Sequence, residues 1–502
     1  MQKETAKILH CAISAAAMIH ASAMNREFLL NVGFLIFINL LIKPLYLFGI
    51  ELSVQNRVAE GMYGLYFNLL SLALVFQIVN DLGIQYYNNR HIAQHSYLLP
   101  KYFPGMLLLK AWLGLAYLAL LLLAAWLWRY EAEVYPLLLP IAANQMLLSL
   151  VLFLRSNISG LAMYRTDSLL SVLDRLLLIF ICGFLLLLLP TFRIEWFVYA
   201  QTFSLAVTAV VAFAVFRGRL GRLRFRFRPA LLLLIVKKSA PYALSVFLMA
   251  AYTRIDGVMV ERLLPQGRLE ADVYASAYRL LDAGSMLGFL FAGLLMPMFA
   301  RMLKSGEALK PLFRMSLQLI WAGSVTLAVA IFFFRNELMT TLYTNATNYS
   351  GQVLGALMLT FVSVSCLYIY GPLLTANGSL RRMNLIFAVG IVLNVVLNAI
   401  FIPRYGALGA AVVTFVTQTF VAVAEARLAH RILPLPFEWR LTLQLALFAI
   451  GSAGIGYLFY YQLNGHWLLR FIGCLLNCLF WAIAIRLIAW RGIRKLLAPK
   501  AG

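Results

Sequence analysis

The stretch Arg217-Gly-Arg-Leu-Gly-Arg-Leu-Arg-Phe-Arg-Phe-Arg228 is the densest run of positive charge in this sequence of 502 residues. Apolar stretches long enough to cross a bilayer lie on both sides of it, and about six of them precede it. An even number of crossings returns the chain to the face on which it began, so the run separates two halves that start on the same side. The sequence therefore predicts two like-oriented six-helix lobes joined by a basic linker.

The composition is typical of a membrane protein. Hydrophobic residues make up 63% of the chain and charged residues 12%, against roughly 45–50% and 25% in soluble domains. A helix in lipid satisfies its own backbone hydrogen bonds and needs about 20 apolar residues to cross. We predict an all-α polytopic protein with about 14 transmembrane helices. The spans are placed at 29–50, 62–86, 104–128, 134–155, 166–189, 194–216, 239–261, 273–300, 312–334, 350–376, 383–402, 406–428, 440–462 and 467–488.

Basic residues collect in every second connection between the spans. This asymmetry is the positive-inside pattern, which places the basic connections and both termini in the cytoplasm. The formal net charge of +23 does not indicate a nucleic acid partner, because the charges are spread thinly over short loops and form no domain-sized surface. Membrane lipids with anionic headgroups are the expected counter-charge.

Met24 is expected to be an alternative start of the chain. The breaks between spans divide the chain into five parts. They are an N-terminal extension (1–28), an N-lobe with spans one to six (29–216), the basic cytoplasmic linker (217–238), a C-lobe with spans seven to twelve (239–433), and spans thirteen and fourteen with a basic cytoplasmic tail (434–502). A shift of 211 residues aligns Tyr63 with Tyr274 and Phe67 with Tyr278. This faint similarity supports parallel repeats related by an axis along the membrane normal.

Three of the cations within the predicted spans belong to the first helices of the two halves, and a charged side chain in a span costs about 2.5–3.5 kcal/mol on insertion scales. Lys43 is in the first span, Arg254 in the seventh and Arg279 in the eighth. Facing lobes would bring these cations together in a central cleft that suits an anionic ligand, since the Arg fork matches phosphate oxygens. We predict that they line a substrate cavity together with Asp256 and Asp282.

Other polar side chains within the spans are candidates for the cavity or for ion coupling. They are Gln77, Asp81, Asp174, Arg175, Asn394 and Asn398. Asn394 and Asn398 share one face of the eleventh span, because residues four apart are neighbours on a helix. A purely structural interpretation also exists for Arg279 and Asp282, whose spacing of three residues suits an ion pair.

Several chemistries are disfavoured by what the sequence lacks. There is no GxxxxGK[ST] loop, no HExxH motif and no cluster of Cys and His at ligand spacing. No loop exceeds roughly 25 residues, which leaves no room for a soluble catalytic domain. We therefore expect a protein that is not an enzyme and has no cofactor other than a coupling ion, H⁺ or Na⁺.

Four parts of the chain carry a family pattern. They are Glu60-Gly-Met-Tyr-Gly-Leu-Tyr66 with Asn80-Asp-Leu-Gly83, Arg254-Ile-Asp-Gly-Val-Met-Val260, Tyr274-Ala-Ser-Ala-Tyr-Arg-Leu-Leu-Asp-Ala283 with Pro297-Met-Phe-Ala-Arg301, and Leu393-Asn-Val-Val-Leu-Asn398 with Ile402-Pro-Arg-Tyr-Gly-Ala-Leu-Gly-Ala-Ala411. In this order they resemble the polysaccharide (Wzx-type) flippases of the MOP superfamily, the multidrug/oligosaccharidyl-lipid/polysaccharide exporters. None is a strict signature, but together they cover most of the twelve-helix core.

The resemblance implies a V-shaped, MATE-like arrangement of the lobes and alternating access in a bacterial cytoplasmic (inner) membrane. It implies a lipid-linked oligosaccharide carried on undecaprenyl pyrophosphate, used in cell-surface polysaccharide (lipopolysaccharide or O-antigen) synthesis. A polysaccharide polymerase and glycosyltransferases are the implied partners. The family's cavity role extends to Arg254, Asp256, Arg279 and Asp282, which lie in matching motifs, whereas Lys43 rests on its helix position alone.

Three other functions stay open at this point. A MATE-type drug antiporter is disfavoured because the first span has Lys43 where those proteins typically carry an acid. A membrane-embedded acyl- or glycosyltransferase would require clustered His and Asp at the membrane surface, which the sequence does not show. A lipid II flippase is barely separated from the leading hypothesis. Transport coupled to H⁺ or Na⁺ and passive flow toward glycan assembly are both compatible with the sequence.

Overall fold

The computed structural model describes residues 38–39, 41–84, 99–161, 163–218, 229–433, 435 and 438–487. Within these ranges the longer elements are all helices, preceded by a π-helix at Leu45–Glu51. They are α1 (Leu52–Arg57), α2 (Met62–Asp81), α3 (Leu99–Leu127), α4 (Tyr135–Gly160), α5 (Tyr164–Leu188), α6 (Ile194–Arg217), α7 (Pro229–Leu263), α8 (Gly267–Ser305), α9 (Lys310–Phe333), α10 (Arg335–Leu342), α11 (Asn348–Ala376), α12 (Leu380–Ile432), α13 (Trp439–Tyr457) and α14 (Trp467–Ala484).

Helix α12 contains two membrane crossings. It has 53 residues, about 80 Å of helix, which far exceeds the roughly 30 Å hydrocarbon core. Its backbone breaks at Gly406, where φ is +60° and ψ is −138°, a conformation open to glycine but costly for other residues. Glu270 and Tyr349 close around this position, so a Cβ there would overlap both side chains. The break separates the predicted spans 383–402 and 406–428.

The number of crossings agrees with the sequence. Twelve described helices are long and apolar enough to cross a membrane, and dividing α12 at Gly406 raises that number to thirteen. The first predicted span, 29–50, is described only from residue 38 onward, without residue 40, and its end continues as helix through residues 41–57. The chain is therefore a multi-pass membrane protein with about 14 crossings, as predicted.

Successive helices run in opposite directions, so their ends gather at two faces of the molecule. One set of ends, which we call the basic face, includes Arg217, Lys310, Arg381 and Arg431. The other set, which we call the opposite face, includes the connections at 51–61, 128–134, 189–193 and 343–347. These two faces are the ones that the charge asymmetry of the sequence distinguishes.

Buried apolar residues form one large core that belongs to both lobes and lies toward the opposite face. In it the Phe67 ring of α2 lies 6.2 Å from the Tyr274 ring and 5.9 Å from the Tyr278 ring of α8. Toward the basic face the described residues form separate cores, one among α3, α4, α5 and α6 and one among α7, α8, α9, α11 and α12 with α13. In the part of the chain that the structure describes, the lobes thus pack together at the opposite face.

The last two helices, α13 and α14, pack against α9 outside the two lobes. Phe448 of α13 is buried beside Ala322 and Val325 of α9, and Cys474 and Cys478 of α14 are buried beside Ala330. Both cysteines are free thiols in a packed apolar contact, which fits their ordinary role as small hydrophobic residues. This pair of helices leaves the space between the lobes untouched.

Candidate functional site

A cavity of about 560 Å³ lies between the two lobes, beside the shared core. Its wall is unusually polar for a space among membrane helices, where uncompensated polar groups are costly. The polar and aromatic residues of the wall are Asn39, Lys43, Tyr46, Glu51, Tyr66, Asn144, Gln145, Asp174, Arg175, Gln201, Ser204, Asp282, Ser285, Phe289 and Tyr368. A concave space with convergent polar groups is the default place for a ligand.

Two cations, Lys43 and Arg175, line this wall. The Arg175 guanidinium lies 4.7 Å from the centroid of the Tyr46 ring and 3.6 Å from Asp174 Oδ2, so a ring face and a carboxylate fix its position. Lys43 forms no ion pair with any residue that the structure describes. Its ammonium group therefore presents a charge to the cavity that no carboxylate of the described chain neutralises.

The structure places Arg254 beside Asp282 instead of leaving it alone on the wall. Arg254 Nη2 lies 3.4 Å from Asp282 Oδ2, and its guanidinium lies 5.0 Å from the centroid of the Tyr278 ring. Asp282, which lines the cavity, thus pairs with a cation of α7 and not with Arg279, its neighbour on α8. The ion pair suggested by the spacing of Arg279 and Asp282 does not form.

Arg279 is located away from the cavity. Its side chain is buried in the shared core, with the guanidinium 4.4 Å from the centroid of the Tyr63 ring. It is not among the residues of the cavity wall. The sequence predicts Arg279 for the cavity wall, but α8 turns its side chain toward Tyr63 of α2. Arg175, which the sequence also names as a candidate, does lie on the wall.

The charge of the wall is mixed, whereas the sequence predicted a positive cleft. Lys43 and Arg175 face Glu51, Asp174 and Asp282. Asp174 and Asp282 are each paired with an arginine, and Glu51 Oε1 accepts a hydrogen bond of 3.0 Å from Tyr63 Oη. Glu51 keeps its negative charge, because the phenol donor is neutral, so Lys43 and Glu51 are the charged groups of the described wall that form no ion pair.

Neutral amides supply most of the remaining polarity, and the sequence analysis did not single them out. The backbone carbonyl oxygen of Gln145 accepts hydrogen bonds from Gln77 Nε2 at 3.3 Å and Asn80 Nδ2 at 3.0 Å. Gln201 Nε2 donates to Tyr66 Oη at 2.9 Å. Gln77 thus lies behind the wall and helps to hold Gln145 in place. The adjacent amides at 144 and 145, within an apolar span, are the signal that could have revealed this surface.

A second polar cluster surrounds Asp256, which is completely buried in the C-lobe. Its carboxylate accepts hydrogen bonds from Asn398 Nδ2 at 2.7 Å, Thr414 Oγ1 at 2.6 Å and Tyr274 Oη at 3.3 Å. Asn398 Nδ2 also donates to Asn394 Oδ1 at 3.0 Å. Asp256 forms no ion pair within the described ranges. A buried carboxylate surrounded only by neutral donors is only partly compensated, so this cluster can hold a proton or a small cation.

Asp81 lies apart from both sites, at the basic-face end of α2. It forms an ion pair with Lys110 of α3, and Lys110 Nζ also donates to Ser149 Oγ of α4 at 2.6 Å. Lys110 is buried, so the pair joins three helices of the N-lobe inside the protein. Its contacts indicate a structural role and place it outside the cavity wall.

Polar contacts join the lobes at the opposite face. Asp272 at the start of α8 accepts hydrogen bonds from Gln55 Nε2 at 2.6 Å and from the Gly61 backbone N–H at 3.1 Å. Close by, Glu261 accepts hydrogen bonds from Asn68 and from Tyr130 Oη. These contacts and the shared core close the cavity toward the opposite face.

Comparison with known proteins gives one family and a consistent fold. A family model described as "Polysaccharide biosynthesis protein" matches residues 28–303. The structure is similar to that of the lipid II flippase MurJ in an inward closed conformation, with a TM-score of 0.70 and 13% sequence identity over 93% of this chain and 99% of that chain. Compared with curated proteins, the sequence has no significant match.

Two further structures share the architecture. One is an inward-facing multidrug resistance MATE family transporter of the MOP superfamily, with a TM-score of 0.62, 14% identity and coverage of 80% of this chain and 95% of that one. The other is a MOP superfamily transporter from Pyrococcus furiosus, whose binding pocket is described as having reversed polarity, with a TM-score of 0.57, 14% identity and coverage of 83% and 96%. At these identities the likeness shows the fold, and it confirms the predicted two-lobed helical arrangement.

Proposed function

The chain belongs to the polysaccharide biosynthesis protein family of membrane transporters, and from that premise we propose that it moves a lipid-linked, diphosphate-bearing oligosaccharide from the cytoplasmic to the periplasmic leaflet. The resemblance to MOP superfamily flippases noted in the sequence is thereby confirmed. The substrate and the direction of transport are our proposals.

The observation that carries the proposal is the wall of the central cavity. Lys43 offers an ammonium group without a carboxylate partner among the described residues, and Arg175 lies on the same wall, 4.7 Å from the Tyr46 ring. Cations held in a site of low dielectric are suited to phosphate oxygens. A diphosphate placed beside Lys43 would supply the negative counter-charge that its ammonium group lacks.

The rest of the wall supports a sugar chain. Asn39, Asn144, Gln145 and Gln201 offer amide donors and acceptors, which match hydroxyl groups, since every amide can both donate and accept. Tyr46, Tyr66 and Tyr368 add flat apolar surfaces with a polar end. The polyprenyl tail requires no such groups and stays in the surrounding lipid.

The packing supports an orientation and a state of the transport cycle. Under the positive-inside rule the basic face is cytoplasmic, which puts the opposite face in the periplasm. The lobes share a core at the periplasmic face and keep separate cores at the cytoplasmic face. We assign the structure to an inward-facing state, in which the Gln55 and Glu261 contacts form the closed periplasmic side.

We further propose that Asp256 binds the coupling ion. Its carboxylate lies beside the Thr414 hydroxyl and the Nδ2 of Asn398, and that Nδ2 also contacts Asn394 Oδ1. The Asn398 side-chain oxygen has no hydrogen-bond partner in the described structure, and a flip of this amide would add it to an all-oxygen set. Oxygen donors suit hard cations, and a single carboxylate suits a single charge. Na⁺ would be held by these oxygens, whereas H⁺ would neutralise Asp256 directly.

The alternative of a cation exporter has one observation in its favour. Glu51 lies on the cavity wall close to the opposite face, and MATE transporters share the fold. Glu51 is, however, held by Tyr63, whose ring lies 4.4 Å from the buried Arg279 guanidinium, whereas no carboxylate among the described residues pairs with Lys43. A lipid-linked anion therefore fits the wall better than a cationic drug.

The test is a flipping assay with the purified protein in liposomes. The probe is a polyprenyl diphosphate carrying a fluorescent N-acetylhexosamine, and membrane-impermeant dithionite reports the fraction that reaches the outer leaflet. We expect wild-type protein to flip the probe and the Lys43→Ala/Arg175→Ala variant to lose at least about tenfold in rate, the loss of about 1.4 kcal/mol of binding.

A matched variant controls for lost charge. Arg193→Ala removes an exposed arginine at the opposite face, outside the cavity, and should flip the probe at the wild-type rate. Ethidium release from the same liposomes tests the cation-exporter alternative. Ethidium transport without probe flipping, or full flipping by the Lys43→Ala/Arg175→Ala variant, would overturn the proposal.

A further inference from the structure

A second cavity, of about 470 Å³, opens at the basic face of the C-lobe. Helix α11 separates it from the space between the lobes, with Tyr370 lining this cavity and Tyr368 lining the central one. The second cavity lies between the start of α9, the end of α12 and the start of α13. Neither the family match, which ends at residue 303, nor the transport mechanism makes use of it. The helices around it nevertheless build a specific chemical environment.

The described lining is strongly basic. Lys310, Arg314, Arg427 and Arg431 surround the cavity, and Glu438 is the acid that the described lining contributes. Lys310 Nζ lies 2.9 Å from Glu438 Oε1 and Arg314 Nη1 lies 3.0 Å from Glu438 Oε2. One carboxylate therefore serves two cations.

Arg427 and Arg431 supply the uncompensated charge. They are four residues apart on α12 and so project from the same side of the helix. Both are exposed, and neither forms an ion pair with a residue that the structure describes. Two guanidinium groups at this spacing offer several parallel N–H donors, which is the arrangement that phosphate oxygens accept best.

The inner end of the cavity is ordered and aromatic. His430 Nδ1 lies 3.0 Å from the Leu435 carbonyl oxygen, and its ring meets Phe313 edge-on, with centroids 6.0 Å apart. The Tyr370 ring lies 6.3 Å from His430 and 5.5 Å from Phe313. These contacts fix the floor of the cavity, so the basic rim has a preformed shape.

One wall is apolar and leads toward lipid. Leu317, Leu441 and Leu445 line the cavity, and α13, which contributes two of them, continues as an apolar helix long enough to cross a membrane. A free phosphate or nucleotide would make no use of this wall. A phospholipid would place its phosphate at the basic rim and its acyl chain along α13, in line with the depth of a membrane interface.

We propose that this cavity binds the headgroup of an anionic phospholipid, with Arg427 and Arg431 holding its phosphate and α13 holding an acyl chain. The bound lipid connects α13 to α9 and α12 and stabilises the attachment of the last helix pair. The site is independent of the transport substrate, because no residue of the central cavity wall takes part in it.

The experiment uses the full chain in native mass spectrometry and thermal unfolding, with phosphatidylglycerol, phosphatidylcholine or inorganic phosphate added. We expect phosphatidylglycerol to be retained and to raise the melting temperature, because a ligand bound to the folded state alone stabilises it. Phosphatidylcholine should do so at least about fivefold more weakly, and 10 mM inorganic phosphate should not displace phosphatidylglycerol. Displacement by inorganic phosphate would identify a free-phosphate site and overturn the assignment.

The variants distinguish this site from general attraction to a basic face. Arg427→Gln/Arg431→Gln should lose most of the preference for phosphatidylglycerol. Arg381→Gln/Arg382→Gln removes two exposed cations of the same face outside the cavity and should keep it. Equal losses in both variants would overturn the proposal.

A measurement on the wild-type protein covers the case of a variant that does not fold. A photoreactive phosphatidylglycerol should crosslink to peptides from 427–447, and phosphatidylcholine in excess should leave that labelling intact. Labelling spread evenly over other basic-face loops would contradict a defined site, as would stronger competition by a polyprenyl diphosphate. None of these readouts measures flipping, so failure here and failure of the proposed function are separate results.

Discussion

The Gly61 backbone N–H donates a hydrogen bond of 3.1 Å to Asp272 Oδ2, across the two lobes. These two residues are 211 positions apart, the shift that aligns Tyr63 with Tyr274 in the sequence. Residues related by a two-fold axis can contact each other only if both lie close to that axis. The contact therefore places the predicted repeat axis at the start of α2 and α8, where the lobes are joined.

Closure of the opposite face depends on a glycine beside this contact. A Cβ on Gly64 would overlap the Arg268 carbonyl oxygen and the Asp272 amide, which are backbone atoms that cannot move aside easily. We predict that Gly64→Ala separates α2 from α8 and lowers the rate of probe flipping by at least about tenfold, a loss of about 1.4 kcal/mol. Crosslinking by a short bifunctional thiol reagent between cysteines at positions 55 and 272, which are in contact across the lobes, should fall in parallel.

The control for this prediction lies on α8 itself. Gly293 has open space where its Cβ would lie, so Gly293→Ala should leave flipping and crosslinking unchanged. A Gly64→Ala protein with wild-type crosslinking would show that the lobes do not meet through this glycine.

The ion pair of Arg254 with Asp282 is predicted to tune the cavity more than it stabilises the fold. The side chains are 25% and 42% exposed, and pairs of such exposure contribute about 0.2–1 kcal/mol. Arg254→Ala should shift the melting temperature little, yet lower flipping because Asp282 then repels a diphosphate. The exchanged pair Arg254→Asp/Asp282→Arg should recover part of the activity, and a double variant no better than Arg254→Ala would argue against a direct pair.

Arg279 is predicted to behave differently from Arg254. Its side chain is buried against Tyr63 in the shared core, so Arg279→Ala removes both packing and a cation–π contact. We expect the free energy of unfolding to fall by about 2–5 kcal/mol, as for other large-to-small changes in a core. Size-exclusion yield and melting temperature measure it, and a stable variant with abolished flipping would instead place Arg279 in the substrate site.

The ion pair of Lys110 with Asp81 is predicted to stabilise the fold of the N-lobe. Removing Lys110 takes away the buried cation that Asp81 and Ser149 both contact, and breaking a buried ion pair typically costs about 3–5 kcal/mol. Lys110→Met should therefore destabilise the protein strongly, and Lys110→Met/Asp81→Asn should restore much of the melting temperature. If the double variant is as unstable as Lys110→Met, packing and not charge explains the cost.

Glu438 is predicted to make stability depend on pH. The hydrogen bond from Lys310 and the charge of Arg314 hold the pKa of this carboxyl below its usual value. A carboxyl whose pKa is lowered by folding contributes stability above its unfolded pKa, about 4.3, and loses that contribution as the pH falls through the folded pKa. The melting temperatures of wild type and Glu438→Gln should differ at pH 7 and converge below pH 4. A difference that persists at pH 3 would contradict this origin.

Much of the fold could be derived from the sequence because each membrane crossing is recognisable from the hydrophobicity of its own segment. Helix α9, for example, was expected at 312–334 and occurs at Lys310–Phe333. The first span remains a prediction for residues outside the described ranges, as do the domain boundaries. Lys43, Asp174, Arg175 and Asp282 were named from the sequence as polar residues within spans, and all four lie on the cavity wall. Their part in substrate binding stays a prediction until it is measured.

The partners of these charges could not be derived in the same way. Asp282 was compared with Arg279, its neighbour along α8, but it pairs with Arg254 of α7. Asp256 was grouped with the cavity, but it is buried among Asn398 and Thr414 of α12. Sequence spacing reports which residues share one helix face, whereas these contacts depend on how neighbouring helices are rotated.

The sequence by itself determined the membrane class, the helical architecture, the order of the crossings and the charge difference between the two faces. Hydrophobicity and charge act segment by segment, because each helix exchanges water for lipid largely on its own. Only the tertiary structure decided that Arg279 belongs to a core while Arg175 faces the central cavity. It also decided that Arg427 and Arg431 line a second cavity. Such choices depend on helix rotation and close packing between segments distant in sequence, which no local pattern records.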